Sequence, residues 1–263
     1  MMVNEELLQV ERVRHPIVVR TLQVSHIEHL NPNYVRMRLS GPDLAGFISA
    51  GFDDHVKLFF AENGHELVKP EVGENGVSYP EGSVKPAARD YTPRYYNATE
   101  GYLEVDFVLH DEGPAGLWAT QAQLGDELTL VGPRGSMIIP TAYSWHLLVG
   151  DETALPAISR RLTELPDHVI PMVVLELDDS ALAQHLPEHP LAQVQVVAHS
   201  PQGELLTQAV AALQLPDGLG YAWAAAESTV VKNVREVLVE IHGLNNKQVK
   251  ASSYWRAATS EAA

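Results

Sequence analysis

The sequence predicts two domains, an antiparallel β-barrel followed by a doubly wound α/β domain with a parallel sheet. Three observations predict this arrangement: a length of 263 residues, a first half of short β-rich segments, and a second half in which apolar runs alternate with helical segments. Domains of about 100–150 residues are the commonest size, so this length suits two of them. We place the boundary near residues 140–144, which divides the chain into residues 1–142 and 143–263.

The first half contains short β-rich segments, several of which alternate apolar with polar side chains, separated by Gly, Pro and Asn. The predicted strands are residues 16–25, 34–39, 55–60, 102–109 and 127–131. Regular short strands of this kind favour a barrel or a sandwich. The Pro-, Gly- and Glu-rich residues 69–88 are predicted to form a long loop, and residues 116–122 a short helix.

After Pro140 the periodicity changes, and apolar runs followed by helical patterns replace the short alternating strands. The predicted strands are residues 145–149, 169–177, 193–198, 220–226 and 248–254, the first three being of the buried type. Helices are predicted over residues 154–165, 205–213 and 228–241, with Ser228 as the N-cap of the last. Strands that alternate with helices at this spacing indicate βαβ units and a parallel sheet.

Composition excludes several classes of function. The 34 acidic residues outnumber the 18 basic ones, and the formal charge of −16 makes nucleic acid and anionic membranes poor partners. The sequence has no cysteine, which excludes disulfides, thiolate nucleophiles, and zinc or iron–sulfur centres held by cysteine. Residues 1–14 lack the apolar core of a signal peptide, and no apolar run approaches the roughly 18 residues of a membrane helix. We therefore expect a cytoplasmic location without membrane insertion.

The twelve histidines do not predict a metal site. His26 and His29 are close in sequence, as are His185 and His189, but neither pair has an evident third ligand and no HExxH motif occurs. We therefore expect solvated histidines and no metal ligands.

The segment from Arg89 to Arg94 combines a cation, an aromatic ring and a hydroxyl. Arg89 and Tyr91 share one face of an extended strand, and Thr92 follows. Such a segment can bind a pyrophosphate through Arg89, place Tyr91 on an isoalloxazine ring and present Thr92 to flavin N5. A barrel strand with an exposed arginine and a half-buried tyrosine fits the same pattern, so both interpretations stay open.

Residues 110–119 predict a strand end, a turn of small residues and a short helix that begins near Ala115. Free amides at a helix N-terminus bind phosphate oxygens, although Asp111 and Glu112 disfavour an anion unless they point away. An ordinary connection between a strand and a helix is equally compatible. A third candidate consists of two turns, residues 124–127 and 132–136, which bracket a barrel strand. Only Arg134 in these turns suggests a function.

Six motifs occur in one order along the chain: DDHVKLFF (53–60), RDYTPR (89–94), DFVLHDEGPAGLWA (106–119), GDELTLVGPRGS (125–136), GDETALPAI (150–158) and SYWR (253–256). Together they resemble the siderophore-interacting protein family, FAD-containing ferric-siderophore reductases of the ferredoxin-reductase-like superfamily. The resemblance spans about residues 15–256. It implies a flavin in the crevice between barrel and α/β domain, with no catalytic side chain, because the cofactor carries the chemistry.

The resemblance also implies which residues contact FAD. Arg89, Tyr91 and Thr92 would meet the pyrophosphate, the ring and N5, and His110 would lie near the adenosine. The full set of implied FAD contacts is Arg89, Asp90, Tyr91, Thr92, Asp106, Phe107, Val108, His110, Pro114, Ala115, Trp118, Ala119, Tyr254 and Trp255. For Tyr254 and Trp255, packing in the core is an equal alternative.

The electron donor implied by the resemblance is NAD(P)H, bound by Gly150, Asp151, Glu152, Thr153, Ala226 and Glu227. The turn at residues 150–153 is not a GxGxxG motif, and its two acids would repel a pyrophosphate unless they face elsewhere. The sequence does not separate NADPH from NADH, and a ferredoxin-like protein donor stays an alternative.

A ferric tris-catecholate is an anion, so it requires cations beside the flavin. We predict that Lys57, Arg134 and Lys250 supply them and converge at the domain crevice, with Arg94 and Arg256 in reserve. Three unrelated surface cations are the open alternative. The implied reaction passes electrons from NAD(P)H through FAD to Fe(III) in the siderophore and releases Fe(II) in the cytoplasm. A flavin reductase with another acceptor and a cytoplasmic siderophore carrier without redox activity are the alternatives.

Overall fold

The computed structural model describes residues 8–61, 65–73, 76–110 and 113–257. The chain divides into two compact units. The N-terminal unit is Val10–Ile139, and the C-terminal unit holds the chain from Pro140 onward together with residues 8 and 9. Within the described ranges, no helix is long and apolar enough to cross a membrane.

The N-terminal unit is built mainly from antiparallel strands. Its strands are β1 (Glu11–Arg14), β2 (Val19–Asn31), β3 (Tyr34–Ser40), β4 (Val56–Phe60), β5 (Glu71–Gly73), β6 (Gly76–Ser78), β7 (Ala87–Tyr91), β8 (Tyr95–Asn97), β9 (Tyr102–Val108), β10 (Glu127–Val131) and β11 (Gly135–Ile138). Seven strands form one sheet in the order β7-β4-β10-β2-β3-β9-β8, while β1 pairs with β11 and β5 with β6. The predicted antiparallel barrel is confirmed as a half-barrel, because β7 and β8 are the edges of the seven-stranded sheet.

The core of this unit follows from the alternation along its strands. Val35, Met37 and Leu39 of β3 are fully buried, and so are the alternate apolar residues of the neighbouring β9. Helix α1 (Pro114–Gln121) adds Ala115 and Ala119 to the same core. This places the short predicted helix directly against the inner face of the sheet.

Three predictions for this half need correction. Strand β2 begins at Val19, three residues later than predicted, and continues to Asn31. The predicted loop at residues 69–88 contains the β5–β6 hairpin and the first residues of β7. Strands β1, β8 and β11 were not predicted, because segments of three or four residues are too short to display a period of two.

The C-terminal unit is a parallel α/β sheet, as predicted. Its elements are β12 (Trp145–Gly150), α2 (Leu155–Glu164), β13 (Ile170–Leu177), β14 (Gln193–Ala198), α3 (Glu204–Ala211), β15 (Gly220–Glu227), α4 (Ser228–Glu240) and β16 (Val249–Trp255). The strand order is β14-β13-β12-β15-β16, with every pairing parallel. The order reverses between β12 and β15, and in open α/β sheets ligands bind beyond the carboxyl ends of the strands at such a switch point.

Burial in this sheet depends on position. Strands β12 and β15 are buried along their whole length, because apolar residues face both sides. Strand β14 was predicted to be a buried run, which is wrong. Gln193, Val194 and Gln195 are exposed, since β14 is the edge strand and has a neighbour on one side only.

Candidate functional site

Four aromatic rings join three of the sequence motifs in the N-terminal unit. The ring centroids of Tyr91 and Phe107 lie 4.7 Å apart, and those of Phe107 and Trp118 lie 5.8 Å apart. Phe60, on β4, lies 5.8 Å from Trp118. We call these four residues the aromatic cluster. The cluster brings β7, which carries the RDYTPR motif, together with α1, and Phe60 is a member that sequence reasoning had not singled out.

Strand β7 displays the predicted cofactor-binding groups along one edge of the sheet. Arg89 is exposed, and its Nη1 donates to the carbonyl of Ala88 at 2.9 Å. Burial raises the pKa of Tyr91, although the positive charge of Arg89 acts to lower it. The phenol of Tyr91 therefore stays protonated. Thr92 follows as a buried residue. A cation and an aromatic ring therefore lie on an edge strand, and a hydroxyl follows directly after it.

The start of α1 offers backbone amides. Gly113 precedes Pro114 at the first helical position, and within the described residues no side chain caps this end. Asp111 and Glu112, whose charge was in question, lie outside the described residues. His110 is exposed and lies against Gly116, where a Cβ would come within 2.6 Å of the His110 carbonyl oxygen. Gly116 therefore packs closely against His110 at the first turn of α1.

These groups suit FAD, because a guanidinium and helix amides bind a pyrophosphate and an aromatic ring stacks on a flavin. The contacts themselves stay predictions. Phe107, Ala115 and Ala119 are buried in the core and support Tyr91 and α1 from behind. Val108 and Pro114 are half-buried beside them.

Asp106 bonds other side chains of the N-terminal unit. Its carboxylate is almost fully enclosed, accepts bonds from Arg36 at 2.8 and 2.9 Å, and accepts another from Tyr34 Oη at 3.1 Å. Arg94, a reserve substrate cation, bonds Glu104 at 2.6 Å and lies 3.7 Å from Asp106. The alternation along β9 directs these acids away from Phe107. The cofactor contact of Asp106 and the substrate contact of Arg94 stay predictions, and both side chains bond groups of the chain in this structure.

In the C-terminal unit, the predicted dinucleotide residues lie at the switch point. Gly150 ends β12 directly opposite Ala225 of β15. A Cβ on Gly150 would contact the Cβ of Ala154 and lie 2.5 Å from the carbonyl oxygen of Ala225. Only glycine therefore allows the following turn to fold back over the strand end. Ala226 is buried at the matching end of β15.

The two acids of this turn face the protein. Asp151 accepts bonds from the amide and hydroxyl of Thr153, and from Trp255 Nε1 at 2.7 Å. Burial raises the pKa of Asp151, and these hydrogen bonds act in the opposite direction. Glu152 accepts from the amide of Asp178 at 2.6 Å, and burial raises its pKa as well. Both carboxylates thus accept hydrogen bonds from the chain itself, which reduces the repulsion that they would exert on a pyrophosphate.

Glu227 caps α4, which corrects the prediction that Ser228 is the N-cap. The Glu227 carboxylate accepts the amide of Thr229 at 2.5 Å, that of Val230 at 3.2 Å, and the Ser228 hydroxyl at 2.7 Å. Desolvation acts against its charge, but these hydrogen bonds prevail and lower the pKa of Glu227. The longer glutamate side chain reaches the same amides that a serine N-cap would reach.

The predicted substrate cations divide between the units. Lys57 Nζ lies 2.6 Å from Asp90 Oδ1, with both side chains about half exposed. Arg134 is exposed in the turn between β10 and β11, and Val131, three residues earlier, lies opposite Lys57. Lys250 is in β16 of the C-terminal unit, and Arg256 is exposed just after that strand. The convergence of all three cations stays a prediction.

The end of β16 carries the last two predicted flavin contacts. The Tyr254 ring meets Trp223 edge-on at 6.0 Å, which matches the packing alternative. Trp255 is 42 % exposed while its indole N–H bonds Asp151. The described residues hold no group of three or more His, Asp or Glu side chains that could bind a metal ion.

A half-barrel with groups suited to a flavin, in a chain that also holds a parallel sheet with strand order 3-2-1-4-5, has the fold of the ferredoxin reductases. A ferredoxin NADP⁺ reductase from Neisseria gonorrhoeae shares this fold, with a TM-score of 0.61 at 14 % identity over 90 % of this chain and 99 % of that one.

Closer matches narrow the class to one family. Residues 23–137 match the siderophore-interacting FAD-binding domain, and residues 143–258 match the siderophore-interacting protein model. The chain is 38 % identical to the NADPH-dependent ferric-chelate reductase of Escherichia coli K12, over 94 % of this chain and 96 % of that protein. It is 34 % identical to the ferric vibriobactin reductase ViuB of Vibrio cholerae, over 97 % and 94 %. A siderophore utilization protein from T. fusca superposes with a TM-score of 0.88 at 33 % identity, over 97 % and 99 %. The chain belongs to the siderophore-interacting protein family.

Proposed function

We propose that this protein is an FAD-dependent reductase that uses NADPH to reduce ferric iron in a siderophore. The observation that carries the proposal is the aromatic cluster, which joins the Arg89 strand to α1. The names of the relatives support both the donor and the ferric substrate. Residues 1–142 would form the FAD-binding domain and residues 143–263 the NAD(P)H-binding-like domain.

The roles of the chain's own residues follow from their surroundings. Arg89 would bind the pyrophosphate, because its guanidinium is exposed and bonds only a neighbouring carbonyl in the described residues. Tyr91 would orient the flavin ring, since Phe107, which itself packs on Trp118, holds it in place. Bound FAD supplies the conversion of a two-electron hydride donor into single-electron delivery. No side chain needs to transfer a proton for electrons to reach the iron.

NADPH is favoured over a protein donor by the switch point of the C-terminal sheet. Asp151 and Glu152 bond groups of the chain, so their repulsion of a pyrophosphate is reduced. The carboxyl ends of β12 and β15 are where this topology binds dinucleotides. A ferredoxin-like donor would require an acidic or basic docking surface, and no such requirement arises for NADPH.

The substrate we propose is an anionic ferric siderophore of the catecholate type. In a chain with a formal charge of −16, Lys57 and Arg134 supply local positive charge on adjoining segments. Reduction weakens the hold of hard oxygen donors on iron, since Fe(II) carries less charge than Fe(III). Release of Fe(II) in the cytoplasm would follow.

Absorbance and a ferrous trap test this function together. Purified protein should absorb at about 450 nm as a bound flavin does, and the band should bleach with NADPH under anaerobic conditions. Addition of a ferric tris-catecholate should restore the band while a ferrous chelator reports iron. Protein that neither contains nor takes up FAD would be a carrier. Flavin that NADPH bleaches but the ferric complex does not reoxidise would indicate another electron acceptor. Bleaching by reduced ferredoxin but not by NADPH would identify a protein as the electron donor.

A further inference from the structure

A buried hydroxyl links three segments of the N-terminal unit. Ser136 lies in β11 with a side chain that is almost fully buried. Its Oγ donates to Asp54 Oδ2 at 2.6 Å, lies 2.7 Å from His15 Nε2, and accepts the amide of Ala50 at 3.1 Å. We call His15, Asp54 and Ser136 the serine network.

The direction of each bond can be derived. A serine hydroxyl has a single proton, and that proton goes to Asp54. His15 Nε2 must therefore carry a hydrogen and donate to Ser136. Asp54 Oδ2 also accepts the Ser49 hydroxyl and the amide of Gly51, each at 3.0 Å. The carboxylate thus organises residues 49–54 while it holds Ser136.

The network holds the segment that carries Arg134. The amide of His15 donates to the carbonyl of Arg134 at 3.0 Å, while its ring bonds Ser136, so one residue fixes both sides of Gly135. On the other side of the turn, Gly132 has a φ of 107°, and a Cβ there would lie 3.6 Å from the carbonyl oxygen of His55. The turn therefore rests on the chain between Asp54 and Lys57.

We propose that the serine network consists of positioning residues, which hold the Arg134 turn against the segment of Lys57 so that both cations meet the anionic siderophore together. This inference rests on the proposed function. An exposed arginine on a loose turn loses conformational entropy when it binds an anion, and a turn held in advance reduces that loss. None of the three residues needs to touch the siderophore.

The first test compares Ser136→Ala with the same substitution at a serine outside the serine network. Ser25→Ala is the matched control, because Ser25 is an exposed strand residue of the same unit, bonded to Ser40 at 2.8 Å. With a ferric tris-catecholate, S136A should raise KM about three- to tenfold without changing kcat, the KM for NADPH or the FAD content. With a neutral ferric trihydroxamate, KM should not change. S25A should behave as the parent protein with both complexes.

A double-mutant cycle shows whether Ser136 acts through Arg134. If it does, S136A in the Arg134→Ala background should raise KM no further, because the group it positions is gone. A further increase of the same size would overturn the proposal, as would an unchanged KM in S136A alone. Should S136A fail to fold, His15→Ala removes the ring bond at a half-buried position and is expected to give the same pattern in the same cycle.

The outcomes separate this inference from the proposed function. If R134A raises KM and neither S136A nor H15A does, the positioning proposal fails and the cation site stands. If R134A leaves KM unchanged, the cation site and the positioning proposal fail together. If the parent protein does not reduce the ferric complex at all, the proposed function itself fails.

Discussion

Lys57 and Asp90 lie directly opposite each other on β4 and β7, and their side chains form an ion pair of 2.6 Å. A cation predicted to bind the substrate is thus paired with an acid predicted to lie beside the cofactor. Because both side chains are about half exposed, solvent screens the pair and its attraction is modest. The pair therefore leaves Lys57 able to exchange its partner for an anionic ligand.

Removal of the Asp90 charge should strengthen substrate binding. In Asp90→Asn, Lys57 no longer has a competing carboxylate, so KM for a ferric tris-catecholate should fall about two- to fivefold at low salt. Steady-state assays at two salt concentrations measure this. Glu127→Gln is the control, since it removes one charge from a comparable exposed pair, Lys69–Glu127 at 3.3 Å. An equal fall in both variants would mean that only net charge matters.

Loss of Trp118 should release FAD and destabilise the N-terminal unit. Trp118→Ala removes the ring that packs on Phe60 and Phe107. Truncation of a core Trp to Ala costs about 3–5 kcal/mol, and we expect a loss at or below the lower end because Trp118 is half-buried. FAD per protein after gel filtration and chemical denaturation measure the two effects. Tyr95, 49 % exposed and 6.0 Å from Tyr102, provides the control. If Tyr95→Ala lost as much flavin as W118A, the aromatic cluster would have no special role.

The bond between Trp255 and Asp151 should support the dinucleotide turn. Trp255→Phe keeps an aromatic ring but removes the donor to a buried carboxylate, a change that costs about 1–3 kcal/mol. We expect KM for NADPH to rise severalfold, while KM for the ferric complex stays unchanged. Ser253→Ala, an exposed change on the same strand, is the comparison. Equal values of KM for NADPH in W255F and the parent would remove this turn from the donor site.

His146 should make stability sensitive to acid. The side chain is fully buried in β12, and neither ring nitrogen has a hydrogen-bond partner among the described residues. Burial, assisted by the charge of Arg161, holds the pKa of His146 well below its usual value. Below pH of about 6.5 the unfolded chain binds a proton that the folded protein does not, so unfolding becomes easier by up to about 1.4 kcal/mol per pH unit.

Denaturation at several pH values measures this contribution. The free energy of unfolding should fall less steeply between about pH 6.5 and 5 in His146→Leu than in the parent, because the variant has no such proton to bind. His168→Leu, which changes an exposed histidine of the same unit, is the control. Parallel curves for H146L and the parent would show that His146 titrates normally when folded.

Local sequence patterns determine most of the elements but not the short ones. Strand β10 and strand β14 have the predicted bounds, because period and turn residues act within a few positions. The β5–β6 hairpin was missed, since three-residue strands in a Pro- and Gly-rich stretch display no period. The exposure of β14 was missed because an edge strand and a central strand can have the same apolar residues, and only the sheet order separates them.

The amino-acid sequence alone establishes the two kinds of sheet, the order of the elements and the family resemblance of the motifs. Tertiary structure decides which side chains meet. Lys57 pairs with Asp90, 33 residues away, and Trp255 with Asp151, 104 residues away. His15 and Ser136 meet across 121 residues. Such contacts depend on strand order and register, which arise from the packing of the whole unit and leave no trace in a local pattern.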